Sequence, residues 1–478
     1  MIGIVAYGAY IPKYRLSRDL IAQAWGSASA GGEKAIANFD EDTITMAVEA
    51  ASDCLGNTIP KKVDGIFFAS TTPPYKEKSC SSLMSTVLDM RRDILTSDFS
   101  NSIRAAASAF GTAIDNIASK AARQILITAA EMRIGAAESE FEMALGDAAA
   151  ALLIGDSDVI AEVIGSFSIS DEFTDNWRME QDLYVKSWED RFANIYGYTN
   201  SVTEAVSGIL QKYGFTPKDF SKIVLYANNP REQTNMAKKL GFDVKTQLSD
   251  LLFGLIGNAG TALSPLILIS ALEQSKPGDK ILWVSYGEGA HAFILEVTPN
   301  IEKMKNKRGV KYYLDSKIML PNYGKYVQFR KLMTTEEPKV FPSPSSIPLF
   351  WRDKKSFLSF YGSKCKNCGL IMHPVQRICY RCHSKDEYEE IKLALNGKIF
   401  TYAEDYLADV PVLPQISASI DLDDGTRVFL RLTEAEAQNP ADPPQKIGMP
   451  IEVTFRKLSD TSGFRNYYWK AKPVRGAS

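Results

Sequence analysis

The sequence of 478 residues has little net charge, few histidines and no long apolar run. Its formal net charge is -2, so no overall field draws it to nucleic acid or to an anionic membrane. The longest apolar stretch, around Thr261 to Leu272, is interrupted by Ser264 and Pro265, which excludes a transmembrane helix there. The first residues lack the basic region and apolar core of a signal peptide. We therefore expect a cytoplasmic protein that binds neither membrane nor nucleic acid.

Four of the six cysteines lie in one window with the pattern C-x2-C-x10-C-x2-C. They are Cys365, Cys368, Cys379 and Cys382. Two such knuckles bring four thiolates into a tetrahedron, which Zn2+ accepts. Two disulfides or four free thiols are the alternative. Since only Cys54 and Cys80 lie outside the window, a reducing compartment is indicated. The spacing predicts a closed structural zinc site.

Residues 1–298 alternate between short β-type runs and helical stretches, which predicts an α/β layered fold. A weak internal repeat adds to this. Asn101 and Asn258 each open a helix rich in small residues, and each helix precedes a β-type run, with an offset of 156 or 157 positions. The repeat predicts a duplicated core with two helices buried between sheets. A chance similarity of two such helices is the alternative.

The C-terminal part is organised differently. Residues 299–355 form a basic, proline-containing segment that we interpret as a linker, either a solvated connector or a surface for an anionic partner. Beyond the cysteine window, five short alternating runs lie between residues 391 and 456, and Asp423–Gly425 is a hairpin signal. This pattern predicts a small closed β-barrel of the OB type.

The C-terminal part also resembles the zinc-ribbon and OB-fold accessory domains that accompany thiolases and related acyl-CoA enzymes. The resemblance rests on the four cysteines and on Phe360-Tyr361-Gly362, Pro374, Leu395-x-Gly397-x-Ile399-x-Thr401-Tyr402, Pro414, Leu422-x-Asp424-Gly425-x-Arg427, Ile447-Gly448-Met449-Pro450 and Tyr468. It implies a rubredoxin-like zinc ribbon at residues 356–390 and an OB-fold at residues 391–478.

The N-terminal part is similar to the 3-hydroxy-3-methylglutaryl-CoA synthase and ketoacyl synthase III branch of the thiolase superfamily. The similar segments are Gly3-Ile4-x-x-Tyr7-Gly8-x-Tyr10-Ile11-Pro12, Glu41-Asp42-Thr43-x-Thr45-Met46-Ala47, Gly146-Asp147-x-Ala149-Ala150-Ala151, Gly257-Asn258-x-Gly260 and Tyr286-Gly287-x-Gly289. The resemblance implies a duplicated, five-layered thiolase-like core, with halves at residues 1–164 and 165–298, that acts on CoA thioesters.

The resemblance also implies a catalytic set, and this chain departs from it. The family's nucleophilic cysteine, at the start of the first buried helix, falls on Ile103. The family histidine falls on Asn228, and the family glutamate falls near Thr71-Thr72-Pro73, where no acid stands. The family asparagine persists as Asn258. A covalent acyl-enzyme of the usual kind is therefore not expected.

Three functions remain open. In the first, the chain acts on acyl-CoA by an aldol or retro-aldol step that needs an oxyanion site but no covalent carrier. Asn258, Asn228 and Tyr286 are then the candidate catalytic residues, with Tyr196 or Tyr198 as other candidate acids or bases. In the second, it is a catalytically silent subunit that pairs with a cysteine-bearing thiolase or synthase. In the third, the zinc ribbon and OB barrel form a nucleic-acid module, which the charge disfavours. In the first two cases we expect acyl-CoA as ligand and either a homodimer or a hetero-oligomer.

Overall fold

The computed structural model describes residues 1–56, 58–305, 307–334, 346–408, 410–435, 445–460 and 464–475. Parts of the predicted linker and barrel therefore lie outside the described residues. The chain divides into two compact units. Unit 1 comprises Met1–Asn38, Asp42–Ser85 and Met90–Tyr326, and unit 2 comprises Phe39–Glu41, Thr86–Asp89 and Val327–Ser478. The domain bounds at 164, 298, 355 and 390 stay a prediction.

The strands are numbered in chain order. In unit 1 they are β1 (Gly3–Tyr10), β2 (Tyr14–Ser17), β3 (Glu33–Ile36), β4 (Gly65–Ala69), β5 (Leu95–Phe99), β6 (Gln124–Glu131), β7 (Ala148–Gly155), β8 (Ala161–Ser170), β9 (Asn176–Trp177), β10 (Lys186–Ser187), β11 (Lys222–Leu225), β12 (Lys280–Tyr286), β13 (Gly289–Val297) and β14 (Ile318–Met319). In unit 2 they are β15 (Tyr361–Cys365), β16 (Ile371–Met372), β17 (Tyr388–Lys392), β18 (Asn396–Asp405), β19 (Gln415–Leu422), β20 (Arg427–Arg431), β21 (Pro450–Ser459) and β22 (Asn466–Pro473).

The α-helices of the described residues are α1 (Arg18–Trp25), α2 (Thr43–Leu55), α3 (Cys80–Val87), α4 (Ala105–Ala118), α5 (Glu140–Ala144), α6 (Asp190–Phe192), α7 (Asn200–Tyr213), α8 (Pro230–Lys239), α9 (Phe253–Ile256), α10 (Leu263–Glu273), α11 (Val310–Asp315), α12 (Tyr323–Phe329), α13 (Ile347–Arg352) and α14 (Lys354–Leu358). Short 3-10 turns occupy Pro60–Lys62, Pro217–Asp219, Gly260–Ala262 and Pro299–Met304, and Ala193–Thr199 is a π-helix. In the described part of the chain, every helix is too short or too polar to cross a bilayer.

Unit 1 is built on a nine-stranded mixed sheet that contains the same arrangement twice. One half has the order β5-β4-β6-β7-β1, and the other has the order β11-β12-β13-β8. In the second half, a parallel bridge between Leu248 and Ile223 of β11 takes the place that β5 has beside β4 in the first half. In the first half β4 pairs in parallel with both β5 and β6, and antiparallel pairs follow. In the second half β11 pairs in parallel with β12, and antiparallel pairs follow. The repeat inferred from the sequence agrees with this, because β6 and β12 begin 156 positions apart, at Gln124 and Lys280.

The two halves meet where β1 runs antiparallel to β8. This approach needs a glycine, because a Cβ on Gly3 would lie 2.0 Å from the carbonyl oxygen of Ala161. The helices α4 and α10 pack on the sheet and contact each other, and nearly every residue of α10 is buried. Small side chains on α4 allow this close packing.

The first part of the predicted linker packs within unit 1. Tyr313 on α11 contacts the ring of Tyr10 edge-on, with 5.3 Å between the ring centroids. Ile318 on β14 pairs with Tyr14 on β2 in a parallel bridge. Residues 310–319 therefore extend the ordered structure of this unit.

Unit 2 contains a three-stranded sheet, β16-β15-β17, and a five-stranded antiparallel sheet, β20-β19-β18-β21-β22. A parallel bridge between Leu432 and Ala471 links the end of β20 to β22, so the five-stranded sheet nearly closes on itself. The predicted hairpin is confirmed, since Asp421 faces Arg427 across the turn and Gly425 has a φ of +84°. The predicted run at 391–395 instead overlaps β17, and β22 was not predicted.

Candidate functional site

A cavity of about 750 Å3 opens in unit 1 where β6 and β11 end. Its wall includes two of the predicted site residues, Asn258 and Asn228, and also Arg133, Tyr198 and Asp175. Polar groups thus surround one part of the cavity, while Phe141, Met143, Leu145 and Phe253 supply an apolar wall elsewhere. A cavity of this size, with a few converging polar groups, fits a small-molecule ligand.

Asn258 is held in a single orientation by its neighbours. Its side-chain Oδ1 accepts hydrogen bonds from Nη2 of Arg133, at 3.0 Å, and from the backbone N–H of Gly260, at 2.9 Å. Both partners are donors only, so the oxygen has to face them. The Nδ2 group therefore points the other way, where it donates to the hydroxyl of Tyr226 at 3.1 Å.

Tyr226 connects the two predicted asparagines. Its hydroxyl donates to Oδ1 of Asn228 across 3.4 Å and accepts from Asn258. Burial raises the pKa of Tyr226, although the positive charge of Arg133 opposes the shift, so the phenol is neutral near pH 7. Asn228 and Asn258, 30 positions apart in the sequence, therefore share one hydrogen-bonding partner at the cavity.

Tyr286, the third predicted catalytic residue, lies deeper. Its ring contacts that of Tyr198 edge-on, with 5.2 Å between centroids, and a Cβ on Gly197 would lie 2.7 Å from its hydroxyl. Burial, and then the charge of Asp175, raise the pKa of Tyr286 far above its ordinary value. Tyr286 is not among the residues that line the cavity, and its hydroxyl cannot act as a base near neutral pH.

The other two candidate tyrosines, Tyr196 and Tyr198, differ in their burial. Tyr198 lines the cavity and is buried, and its hydroxyl donates to the backbone oxygen of Tyr226 at 2.7 Å. Tyr196 is 54% exposed. Of the two, only Tyr198 stands at the cavity wall.

Residues before α4 occupy the position where a nucleophile was expected. Ile103 is half-buried there. The neighbouring Ser102 donates from Oγ to Oε2 of Glu288 at 2.6 Å, and its backbone oxygen accepts from the hydroxyl of Thr261 at 3.4 Å. Burial raises the pKa of the Glu288 carboxyl. This start of α4 carries no thiol.

The two cysteines of unit 1 lie elsewhere. Cys54 is fully buried near the end of α2, where burial raises the pKa of its thiol to about 12. Cys80 begins α3, and its backbone N–H donates to Asp98 at 2.6 Å. A thiol with so high a pKa supplies almost no thiolate, so Cys54 is not a substitute nucleophile.

A carboxylate that sequence reasoning missed stands beside the turn where the family glutamate was expected. Glu131, at the end of β6, is completely buried. Its carboxylate accepts hydrogen bonds from the backbone N–H of Thr71 at 3.3 Å and from the side-chain hydroxyl of Thr72. The backbone N–H of Thr261 donates a third hydrogen bond at 3.3 Å. The sequence signal for this site was a glutamate at the end of an apolar β-type run. A carboxylate buried there needs several hydrogen-bond donors from neighbouring segments.

Two further acids at the cavity wall were also missed. Burial raises the pKa of Asp175, and hydrogen bonds such as that from the N–H of Asn176, at 2.6 Å, offset only part of the shift. Burial likewise raises the pKa of Glu232. A carboxyl group with a raised pKa exchanges protons closer to neutral pH than an exposed one does.

His291, the histidine nearest the glycine-rich turn, packs as a core side chain. It stacks on Phe293 with 4.1 Å between ring centroids and lies against Gly111 of α4. Burial lowers its pKa to about 4, so it is neutral at physiological pH.

In unit 2, the four cysteines of the predicted metal site converge. Their Sγ atoms all lie within 4.8 Å of one another, and Cys365–Cys382 and Cys368–Cys379 are 3.6 and 3.5 Å apart. Zn–S bonds of about 2.3 Å in a tetrahedron separate the sulfurs by about 3.8 Å, so the donor set fits Zn2+. The residue after each knuckle is left-handed, with φ of +72° at Gly369 and +60° at His383.

Comparison with known proteins identifies the core. A hydroxymethylglutaryl-CoA synthase of Methanocaldococcus jannaschii is 34% identical over 343 residues, which are 69% of this chain and 99% of the relative. The chain belongs to the hydroxymethylglutaryl-CoA synthase family. A synthase of Methanopyrus kandleri is 30% identical over 342 residues, 69% of this chain and 97% of the relative. Residues 210–297 match the family described as 3-oxoacyl-[acyl-carrier-protein (ACP)] synthase III C terminal.

Solved structures agree with the synthase family in fold. A crystal structure of HMG-CoA synthase complexed with CoA matches with a TM-score of 0.63 at 18% identity, over 73% of this chain and 95% of that one. The 3-oxoacyl-[acyl-carrier-protein] synthase III of Aquifex aeolicus matches with a TM-score of 0.56 at 22% identity, over 62% of this chain and all of that one. The predicted thiolase-like α/β core is therefore confirmed.

Proposed function

We propose that this chain binds acyl-CoA and makes or breaks a carbon–carbon bond next to the thioester by aldol-type chemistry, without a covalent acyl-enzyme. The observation that carries the proposal is the pair of amides, Asn258 and Asn228, fixed on Tyr226 at the cavity while Ile103 occupies the start of α4. Membership of the synthase family, with relatives that are hydroxymethylglutaryl-CoA synthases, supports CoA thioesters as the substrate class.

In this proposal the amides of Asn258 and Asn228 donate to the thioester oxygen as negative charge develops on it. Asp175 takes a proton from the carbon next to the thioester carbonyl, and the electron pair moves onto that oxygen. The resulting enolate attacks a second carbonyl carbon, and the oxygen of that carbonyl takes the proton that Asp175 holds. Tyr286 stays neutral throughout, because burial and the charge of Asp175 raise its pKa far above the ordinary value. The reverse sequence breaks the same bond.

A second cavity, of about 570 Å3, offers a place for the remainder of CoA. It shares Asp190, Asn194, Tyr198, Asn229 and Glu232 with the first cavity. Its other lining residues include Arg191, Arg231 and Lys239, whose positive charges suit phosphate groups. We propose that the acyl group lies by Asn258 and the phosphates by these cations.

Exchange of the acyl α-protons tests the proposal directly. Acetyl-CoA is incubated with the purified chain in D2O, and deuterium in the recovered acetyl group is measured by mass spectrometry. We expect uptake well above the protein-free rate, and its loss in Asn258→Ala. Calorimetry with CoA in parallel shows whether the ligand binds at all. The proposal fails if CoA binds and no deuterium enters.

The departures from the family set also favour a second candidate, a catalytically silent subunit of a heteromeric thiolase or synthase. In that case the chain alone would bind CoA without exchange, and activity would appear only after a cysteine-bearing homologue is added. We propose that the chain works as a homodimer or in such a hetero-oligomer, in the cytoplasm.

For unit 2 we propose a zinc ribbon followed by an OB-type barrel. All four cysteines would hold one Zn2+, which leaves no open coordination position for catalysis, so the metal would stabilise the fold. The near-closed five-stranded sheet and the sulfur spacing support this assignment.

A further inference from the structure

A strongly basic cleft lies in unit 1 at the opposite edge of the sheet from Asn258. It has a volume of about 1020 Å3 and shares no lining residue with the two cavities described above. It sits where β4 and β6 begin, at Gly65 and Gln124, whereas the Asn258 cavity lies beyond the strand ends. A ligand there would not occupy the acyl-CoA site.

Five cations line this cleft against two carboxylates, Asp64 and Asp156, although the whole chain has a net charge of -2. The cations are Lys61, Lys62, Arg91, Lys120 and Arg123. They come from three separate segments: the turn before β4, the segment before β5 and the segment between α4 and β6. Positive charges held close together repel one another, and an anion bound between them reduces this repulsion.

The carboxylate of Asp64 is already bound by other groups of the protein. Its Oδ1 lies 2.6 Å from Nη2 of Arg91, and its Oδ2 accepts from the backbone N–H groups of Arg123 and Gln124 at 2.7 and 3.2 Å. Partial burial raises the pKa of Asp64, but these hydrogen bonds and the charge of Arg91 lower it by more, so the net shift is downward. The carboxylate of Asp64 therefore stays charged. It positions Arg91 and the segment before β6.

Three of the cations are available to an external partner. Among the described residues, the side-chain charges of Lys62, Lys120 and Arg123 have no carboxylate partner. Lys120 also has a φ of +63°, a conformation that glycine adopts more readily than lysine. This left-handed residue ends α4, where the backbone N–H of Ala121 donates to the carbonyl oxygen of Asn116 at 3.0 Å.

We infer that this cleft binds a small phosphorylated molecule that carries at least two phosphate groups. Its concave form and its volume suit a ligand of nucleotide size rather than a flat membrane or a nucleic-acid strand. Several ammonium and guanidinium donors around one cavity match the many acceptor oxygens of linked phosphates. The ligand could be a free polyphosphorylated compound or the phosphorylated end of a second CoA, which present the same chemistry.

Calorimetry with sodium tripolyphosphate at constant ionic strength tests the inference. The variant Lys62→Gln/Lys120→Gln/Arg123→Gln is compared with a control, Lys218→Gln/Lys245→Gln/Lys276→Gln, which loses the same charge from exposed positions elsewhere in unit 1. We expect at least about tenfold weaker binding at one site per chain in the cleft variant, and less than twofold change at that site in the control.

Equal weakening in both variants would mean that only the overall charge matters and would overturn the inference, as would no binding to the intact chain. Thermal unfolding of both variants verifies that they fold. A parallel titration with CoA separates the two ligand sources, since CoA as the natural occupant would add a second binding event that the cleft variant loses. If the intact chain and the cleft variant both show a single binding event with CoA, the occupant of the cleft is a separate polyphosphorylated compound.

Discussion

The guanidinium of Arg133 donates a hydrogen bond to the side-chain oxygen of Asn258 across 3.0 Å, inside the cavity of unit 1. The contact fixes the amide so that its nitrogen faces Tyr226 and the space beyond it. Arg133 also raises the local positive potential where the proposed reaction develops negative charge. Its effect on the reaction should therefore pass largely through Asn258.

Replacement of Asn258 by alanine should remove one donor to the developing oxyanion. We expect deuterium exchange into acetyl-CoA to fall about 100-fold, as the loss of one oxyanion donor does in other enzymes. CoA affinity should change less than threefold, because the proposed phosphate site lies at Arg191, Arg231 and Lys239. Exchange rates and calorimetry measure the two effects separately. Unchanged exchange in Asn258→Ala would remove this residue from the mechanism.

Substitution of Arg133 should act on orientation rather than on binding. In Arg133→Met the amide of Asn258 loses one of its two oxygen contacts, so we expect exchange to fall about tenfold with CoA affinity retained. Arg133→Lys keeps the charge and one donor and should recover part of the rate. A purely structural role would instead lower the thermal midpoint of both variants and leave the exchange rate per folded molecule unchanged.

The acid at the cavity predicts a pH dependence. Because burial raises the pKa of Asp175, exchange should rise with pH through an apparent pKa above that of an ordinary aspartate, and Asp175→Asn should lose that rise. The pH profile of deuterium uptake measures both. An identical profile in Asp175→Asn would assign the proton transfer to another group.

The same shift predicts an effect on stability. The folded state binds the proton of Asp175 more tightly than the unfolded state, so stability falls as pH rises from the ordinary aspartate pKa through the raised one. Asp175→Asn removes this term. The variant should therefore gain stability relative to the parent chain as the pH rises, measured by denaturant unfolding. A difference that shrinks with pH would contradict a raised pKa.

The cysteine cluster predicts a structural metal. Protein purified without chelator should contain one zinc per chain, and Cys368→Ser should lose it. Since structural Zn2+ contributes roughly 10 kcal/mol or more to small zinc domains, unit 2 should unfold at lower temperature in that variant. The deuterium exchange of unit 1 should persist. A zinc content well below one per chain in the parent protein would argue against the site.

Much of the core was predictable because its signals are local. The small-residue helices α4 and α10 and the strands β6 and β12 were located by their repeat, and Cys365 and its three partners by their spacing. The strand β7 was not predicted as a strand. Its Ala148–Ala151 favours helix, yet it pairs with both β1 and β6, where small side chains permit close packing by α2 and α10.

The site was predictable only in part, because its geometry depends on residues far apart in the chain. The sequence suggested Asn258 and Asn228 but gave no sign that Tyr226 joins them. Glu131 could not be assigned to the turn at Thr72, since nothing local predicts a contact between positions 59 apart. Tyr286 was placed correctly beside the glycine-rich turn, but its burial, which decides its protonation, follows from tertiary packing.

Intact-mass analysis after incubation with acetyl-CoA tests whether the chain performs carbon–carbon chemistry on a CoA thioester without a covalent carrier. The sample is taken under conditions in which deuterium exchange is under way, so that turnover and adduct are observed together. We expect exchange with the protein at its unmodified mass. A stable acetyl adduct, mapped to Ser102 or to any other side chain of unit 1, would contradict it.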